Sequence, residues 1–92
     1  MIDAYKALSD TTRRKILELL KERDMTVNEI TRYFNISQPS ISHHLSILKN
    51  SGLIESSKEG KYVKYSLNLT VLHELMGWFM NLMNKVEEEK YK

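Results

Sequence analysis

The stretch TVNEITRYFNISQPSISHHLSIL, Thr26 to Leu48, decides how this chain folds. Thr26 followed by Glu29 has the capping-box spacing, in which the hydroxyl takes the third helical amide and the carboxylate reaches back to the cap amide. A helix therefore starts there, with Val27, Ile30 and Phe34 on its buried side. Asn35 is expected to break it, because Asn tolerates the left-handed backbone that a tight helix-to-helix turn demands. Ser37 caps the next helix, and Pro39 is accommodated in its first turn. That helix runs to about Asn50, where Gly52 fits a stop that needs positive φ. Its inward stripe is Ile41, Leu45 and Leu48, so the stretch reads as two short helices across a tight turn.

Working outward, Asp10 looks like the N-cap of a helix from Thr11 to about Lys21, with Ile16, Leu17, Leu19 and Leu20 on its core face. Before it lies a short apolar-faced segment, Ile2 to Leu8. After Gly52 the pattern changes to period two: Leu53 to Lys58, a turn at Glu59 and Gly60, then Lys61 to Leu67 with Val63, Tyr65 and Leu67 on one face. This predicts a two-stranded hairpin. From Leu69 the helical period returns, with Leu69, Leu72, Met76, Phe79, Met83 and Val86 at spacings of three and four. The fold class is therefore mainly α with a small β-hairpin (α+β), in the order helix, helix, helix, helix, hairpin, helix. It forms one winged helix-turn-helix domain over residues 1–92: the helix-turn-helix at about 26–50, the wing at about 53–67 and a C-terminal helix at about 69–87.

Composition narrows the classes of function. The 92 residues make one modest core that buries about 60–65% of the unfolded surface, so a partner subunit would help. The chain has 14 Lys and Arg against 12 Asp and Glu, a balance too even to announce a nucleic-acid partner by itself. Between Arg32 and Lys64, however, Arg32, Lys49, Lys58, Lys61 and Lys64 face only Glu55 and Glu59. There is no cysteine, which excludes disulfides, zinc fingers, thiolate metal sites and thiol redox sensing. The N-terminus lacks the apolar core of a signal peptide, and His73, Glu74 and Asn81 interrupt the longest apolar segment, Leu69 to Met83. A soluble, cytoplasmic protein without membrane insertion is expected.

On the second helix of the central unit, Pro39, Ser42, His43, Ser46 and Asn50 fall opposite the inward stripe, and this face carries no acid. Small hydrogen-bonding side chains let a helix enter the major groove of DNA, where Gln pairs with adenine and Ser or His reaches base edges or phosphates. Gln38, near the helix start, is the leading base reader, and Lys49 adds charge toward the other end. A polar face alone is common on any soluble helix; the turn, caps and wing around this one give it weight. Lys58 and Lys61 flank Gly60 at the hairpin tip, suited to the phosphate backbone or the minor groove, although tip lysines also serve solubility. Arg13, Arg14 and Lys15 form a second basic cluster with two equal readings, a phosphate contact or pairing with Glu18. The last helix adds Leu75, Trp78, Met80 and Leu82 on other faces, more apolar surface than one small core covers, which points to a second copy.

The runs Ala7 to Leu17, Ser37 to Leu45 and Gly60 to Tyr65 resemble the ArsR/SmtB repressors over nearly the whole chain, and most nearly their cysteine-free, SdpR-like autorepressors. The resemblance implies a homodimer built from the first and last helices, with Ile2, Tyr5, Leu72, Met76, Phe79 and Met83 at the interface, and an inverted-repeat operator in double-stranded DNA. It also implies that Gln38, Ser40, Ser42 and His43 occupy recognition positions and that the Lys58 to Lys61 tip is the wing. Thr11 stands where many members have Pro. Metal sensors of the family carry a cysteine pair on the helix that here holds Val27 to Thr31, or carboxylate and His ligands on paired last helices. Neither set is present. His73 and Glu74 are adjacent and point about 100° apart, as do His43 and His44, so no metal and no cofactor is expected.

The reading is a metal-independent, sequence-specific repressor that binds DNA as a homodimer. The alternative is a winged-helix module for protein interaction, which would need neither a basic wing nor an acid-free recognition face. An enzyme has no support, since no nucleophile and base pair, phosphate loop or paired carboxylates in a cleft are found. A protein partner that relieves repression is left open.

Overall fold

A computed structural model describes residues 2–90 of the chain and the side chains of residues 3–84. Helix α1 covers Ile2–Leu8 and α2 covers Thr11–Glu22, the second started by Asp10, whose carboxylate accepts the Arg13 amide at 3.0 Å. A two-residue strand β1, Met25–Thr26, leads into α3, Val27–Thr31, and then α4, Gln38–Asn50. Strands β2, Ile54–Glu59, and β3, Tyr62–Leu67, form the wing, and α5 runs over Leu69–Lys90. The capping box is complete: Thr26 accepts the Glu29 amide at 3.2 Å, and the Glu29 carboxylate accepts the Thr26 amide at 3.0 Å. Helix α4 is closed at its far end too. Gly52 at φ +81° donates its amide to Lys49, and Leu53 donates to Leu48, the paired bonds of a Schellman stop.

Several expectations need correction. Helix α3 ends at Thr31 rather than running to Phe34, and positive φ among the described residues is confined to Gly52 and Gly60. Asn35 therefore does not turn the chain through a left-handed residue; a looser series of turns over residues 32–36 does it. The hairpin gains a third strand, since Met25 pairs with Tyr65 and Thr26 with Lys64, in the antiparallel order β1-β3-β2. The wing's turn is Gly60 and Lys61, one residue later than the sequence suggested, and β2 starts at Ile54 instead of Leu53. Finally, α5 extends beyond residue 87 to Lys90.

The core gathers Ile16, Leu17 and Leu20 from α2, Met25, Ile30, then Ile41, Leu45 and Leu48 from α4, with Leu53 and Ile54 at the base of the wing. The sheet's inner face follows from the register: Ile54 is opposite Leu67 and Ser56 opposite Tyr65, and both β3 side chains pack on the core. Val63, expected on that same face, lies beyond the core toward the tip and is exposed.

Helix α5 behaves differently. Leu75 is its one buried side chain among those described, with Val71 and Leu72 packed partly against the core. Beyond Leu75, Met76, Trp78, Phe79, Met80, Leu82 and Met83 are all about half exposed. The whole chain exposes 6708 Å², against about 5,600 Å² for a compact monomer of its mass. Its radius of gyration, 16.1 Å, compares with about 12 Å for a compact domain of this length.

Candidate nucleic-acid interface

Every side chain that the sequence assigned to the recognition helix is exposed in the structure: Gln38, Pro39, Ser40, Ser42, His43, Ser46 and Lys49. The inward stripe of Ile41, Leu45 and Leu48 is at most 1% exposed, so the rotation of α4 is fixed by apolar contact. Its first turn is held by Ser37, whose hydroxyl accepts the Ser40 amide at 3.3 Å and donates to the Ser40 hydroxyl at 3.0 Å. Gln38 and Pro39 open the helix on this frame. The result is a rigid ridge of small polar side chains with no acidic group.

His44 sits half-buried behind that ridge, while its neighbour His43 points outward, their rings 6.1 Å apart. The Arg13 guanidinium approaches His44 Nδ1 at 3.2 Å. A guanidinium only donates, so Nδ1 accepts and the ring proton belongs on Nε2. The same Arg13 donates from Nε to the Ala7 carbonyl at 2.9 Å and from a terminal nitrogen to Lys6, and Arg14 donates to Leu8 at 2.7 Å. These arginines close the last carbonyls of α1 and join α1, α2 and α4. Both guanidiniums are engaged mainly on backbone carbonyls, and no ion pair with Glu18 occurs among the described residues. Lys15 lies 5.1 Å over the Phe34 ring. The Arg13 amide holds the Asp10 carboxyl below the usual carboxylate range, with the Arg13 charge adding to it.

At the wing, Lys58 and Lys61 are exposed on either side of the tip, and the Lys61 ammonium lies 5.6 Å over the Tyr62 ring. Lys64 is 3.7 Å from Glu59 on the outer face of the sheet. Among the described residues no three His, Cys, Asp or Glu side chains come together as metal ligands, and His73 and Glu74 are both exposed. No helix there is long and apolar enough to cross a membrane.

The expected interface residues of the terminal helices are partly brought together. Tyr5 meets Trp78 and Phe79 edge-on, with ring centroids 6.4 and 6.3 Å apart. Met76 and Met83 are exposed on the same helix, whereas Leu72 is divided between this surface and its own core. The side chain of Ile2 lies outside the described residues. Trp78, Met80 and Leu82, which the spacing rule left out, belong to the exposed apolar surface as well.

A capped helix with an acid-free outer face, preceded by a second short helix and followed by a lysine-tipped wing, defines a winged helix-turn-helix regulator. The model of the bacterial regulatory proteins of the arsR family matches residues 10–56. The chain belongs to that family, whose members are regulators and not enzymes. It is 51% identical over 89 residues to the transcriptional repressor SdpR of Bacillus subtilis, covering 97% of this chain and 99% of that one. It is 34% identical to an arsenical resistance operon repressor of Staphylococcus aureus, over 86% of this chain and 75% of that one. Among solved structures, an ArsR-like transcriptional regulator from Rhodococcus sp. RHA1 superposes with a TM-score of 0.91 at 26% identity, covering 96% of this chain and 81% of that one.

Proposed function

We propose that this chain is a cytoplasmic, homodimeric transcriptional repressor that recognises an inverted-repeat operator in double-stranded DNA without a metal cofactor. The observation that carries the reading is the exposed α4 face, seven assigned side chains with no acid, held by a cap at each end beside the lysines of the wing. In this reading Gln38, Ser40, Ser42, His43 and Ser46 meet base edges and nearby phosphates, and Lys49, Lys58 and Lys61 meet the backbone. The similarity to SdpR, a transcriptional repressor by name, supports repression as the outcome.

The dimer is supported by the apolar surface of α5. Met76, Trp78, Phe79, Met80, Leu82 and Met83 together leave more exposed than a monomer tolerates, and Tyr5 extends the surface onto α1. The excess over a compact monomer, about 1,100 Å², is more than the roughly 800 Å² that one subunit buries in a standard interface. A twofold axis through this surface would present two α4 helices about 34 Å apart to successive major grooves.

Selection of bound fragments from random duplex DNA tests the reading, and an inverted repeat is the expected motif. Gln38→Ala should then cost about 1–3 kcal/mol on the selected site and little on scrambled DNA. Lys61→Ala should weaken both sequences equally and lower the salt slope by about one per subunit. Zinc or EDTA should change operator affinity less than about tenfold. Recovery of no common motif would favour the protein-interaction module instead.

A further inference from the structure

An open crevice of about 420 Å³ lies between α3 and β3, lined by Thr26, Asn28, Glu29, Arg32, Tyr62 and Lys64. The antiparallel register brings these groups together, because Thr26 pairs directly with Lys64 and Tyr62 lies two residues along the same face. Glu29 is the one carboxylate in the lining, and it is already committed. Arg23 holds it at 2.8 Å and the Thr26 amide at 3.0 Å, which pulls its pKa down to about 2. Lys64 has Glu59 at 3.7 Å on the wing side. Arg32 is exposed, and the ion pairs among the described residues do not engage it.

We propose that this crevice is a phosphate-binding subsite that takes a backbone phosphodiester of the bound duplex between Arg32 and Lys64, with Tyr62 and Asn28 as neutral donors. The inference rests on the DNA-binding reading above. A free guanidinium, an ammonium, a phenol and an amide on one concave surface suit a tetrahedral oxyanion, and the guanidinium fork adds bidentate geometry. The crevice is also continuous with the proposed interface: Lys61 at the wing tip lies over the ring of Tyr62, and α3 is joined to α4 by the short turn over residues 32–37. One wall, α3, packs on the recognition helix, and the other, β3, runs to the wing tip. Arg32 and Lys64 enter the sequence only as part of a local charge count; their convergence needs the pairing of β1 with β3.

The test is a salt titration of Arg32→Gln, Arg32→Lys and Lys64→Ala on the selected operator and on scrambled duplex, with folding verified by thermal melts. Lys21→Ala, on the groove between α2 and α5, serves as control. Arg32→Gln should weaken both duplexes about 3- to 10-fold at 0.1 M salt and lower the slope by about 0.9 per crevice occupied. Arg32→Lys should keep the slope, and Lys21→Ala should change nothing. Ethylation of one backbone phosphate per half-site should impair the wild type but not Arg32→Gln. If Lys61→Ala lowers the slope while Arg32→Gln and Lys64→Ala leave it intact, the crevice assignment is wrong and the DNA-binding reading stands. If inorganic phosphate shifts the Asn28 and Tyr62 amide resonances while no ethylated phosphate depends on Arg32, the crevice holds a free anion and the assignment again fails. A wild type that binds no duplex overturns both.

Discussion

Helices α4 and α5 both turn a face to solvent, and the two faces call for opposite partners. On α4 the inner stripe is fully buried, both ends are closed, and the outer residues are small and polar, so the helix is finished as it stands. Its outer face gains nothing from apolar cover and is suited to a polar, water-bridged ligand. Among the described side chains of α5 only Leu75 is buried, while residues from Met76 to Met83 hold large apolar side chains in water. Such a surface is stable only when a second apolar surface removes it from water. In the proposed dimer one helix reads and the other is covered.

The largest effect should come from placing a charge on the helix that needs cover. Phe79→Glu puts a carboxylate into the proposed apolar seam of each subunit and should weaken association by about 3–5 kcal/mol. The fold should survive, because Leu75 and Val71 still anchor the helix. Sedimentation together with circular dichroism checks this: a wild type that sediments as a monomer at micromolar concentration would remove the contrast altogether. Next comes the far end of α4. A Cβ on Gly52 would meet Val71 Cγ2 at 2.9 Å, and the residue has φ +81°. Gly52→Ala should therefore destabilise the chain by about 1–3 kcal/mol in urea, because it strains the backbone and pushes against the first turn of α5.

A smaller loss is expected at the near end. Ser37→Ala removes the acceptor for the Ser40 amide and should cost about 1 kcal/mol of stability, and it should loosen the turn that carries Gln38. Equal stability of the variant and the wild type would mean that packing alone fixes the start of α4.

The smallest effect is a pH dependence. Arg23 and the Thr26 amide hold the Glu29 pKa at about 2 in the folded chain, below the ordinary value of 4.5. A depressed acid contributes stability that is fully present above pH 4.5 and is lost as pH falls from there through about 2. Urea midpoints at pH 5, 4 and 3 should therefore fall less steeply in Glu29→Gln, which keeps an acceptor for the Thr26 amide but loses the titrating group. Parallel slopes would show that the exposed Arg23 pair contributes nothing to acid sensitivity.

Local chemistry was the part of this fold legible in the sequence. The caps at Asp10, Thr26 and Ser37 and the stop at Gly52 use side-chain and backbone bonds within a few residues, and each appears in the structure at its expected position. The apolar periodicity of α2 and α4 likewise named the buried residues, since burial must follow the helical repeat. The end of α3 was missed, because a five-residue helix has no second turn in which a stop signal could show.

What the sequence determined by itself was the helices, the hairpin and the polar or apolar character of each outer face, because caps, turns and periodicity act over three or four residues. Only the tertiary structure decided the rest. It paired Met25 and Thr26 with β3, an association across almost 40 residues that no periodicity in a two-residue strand can announce. It spent Arg13 and Arg14 on the carbonyls of α1, and it left Arg32 beside Lys64 at one crevice. A charged side chain reads the same in any sequence; whether it meets a backbone carbonyl, a carboxylate or open water depends on which distant segment packs beside it.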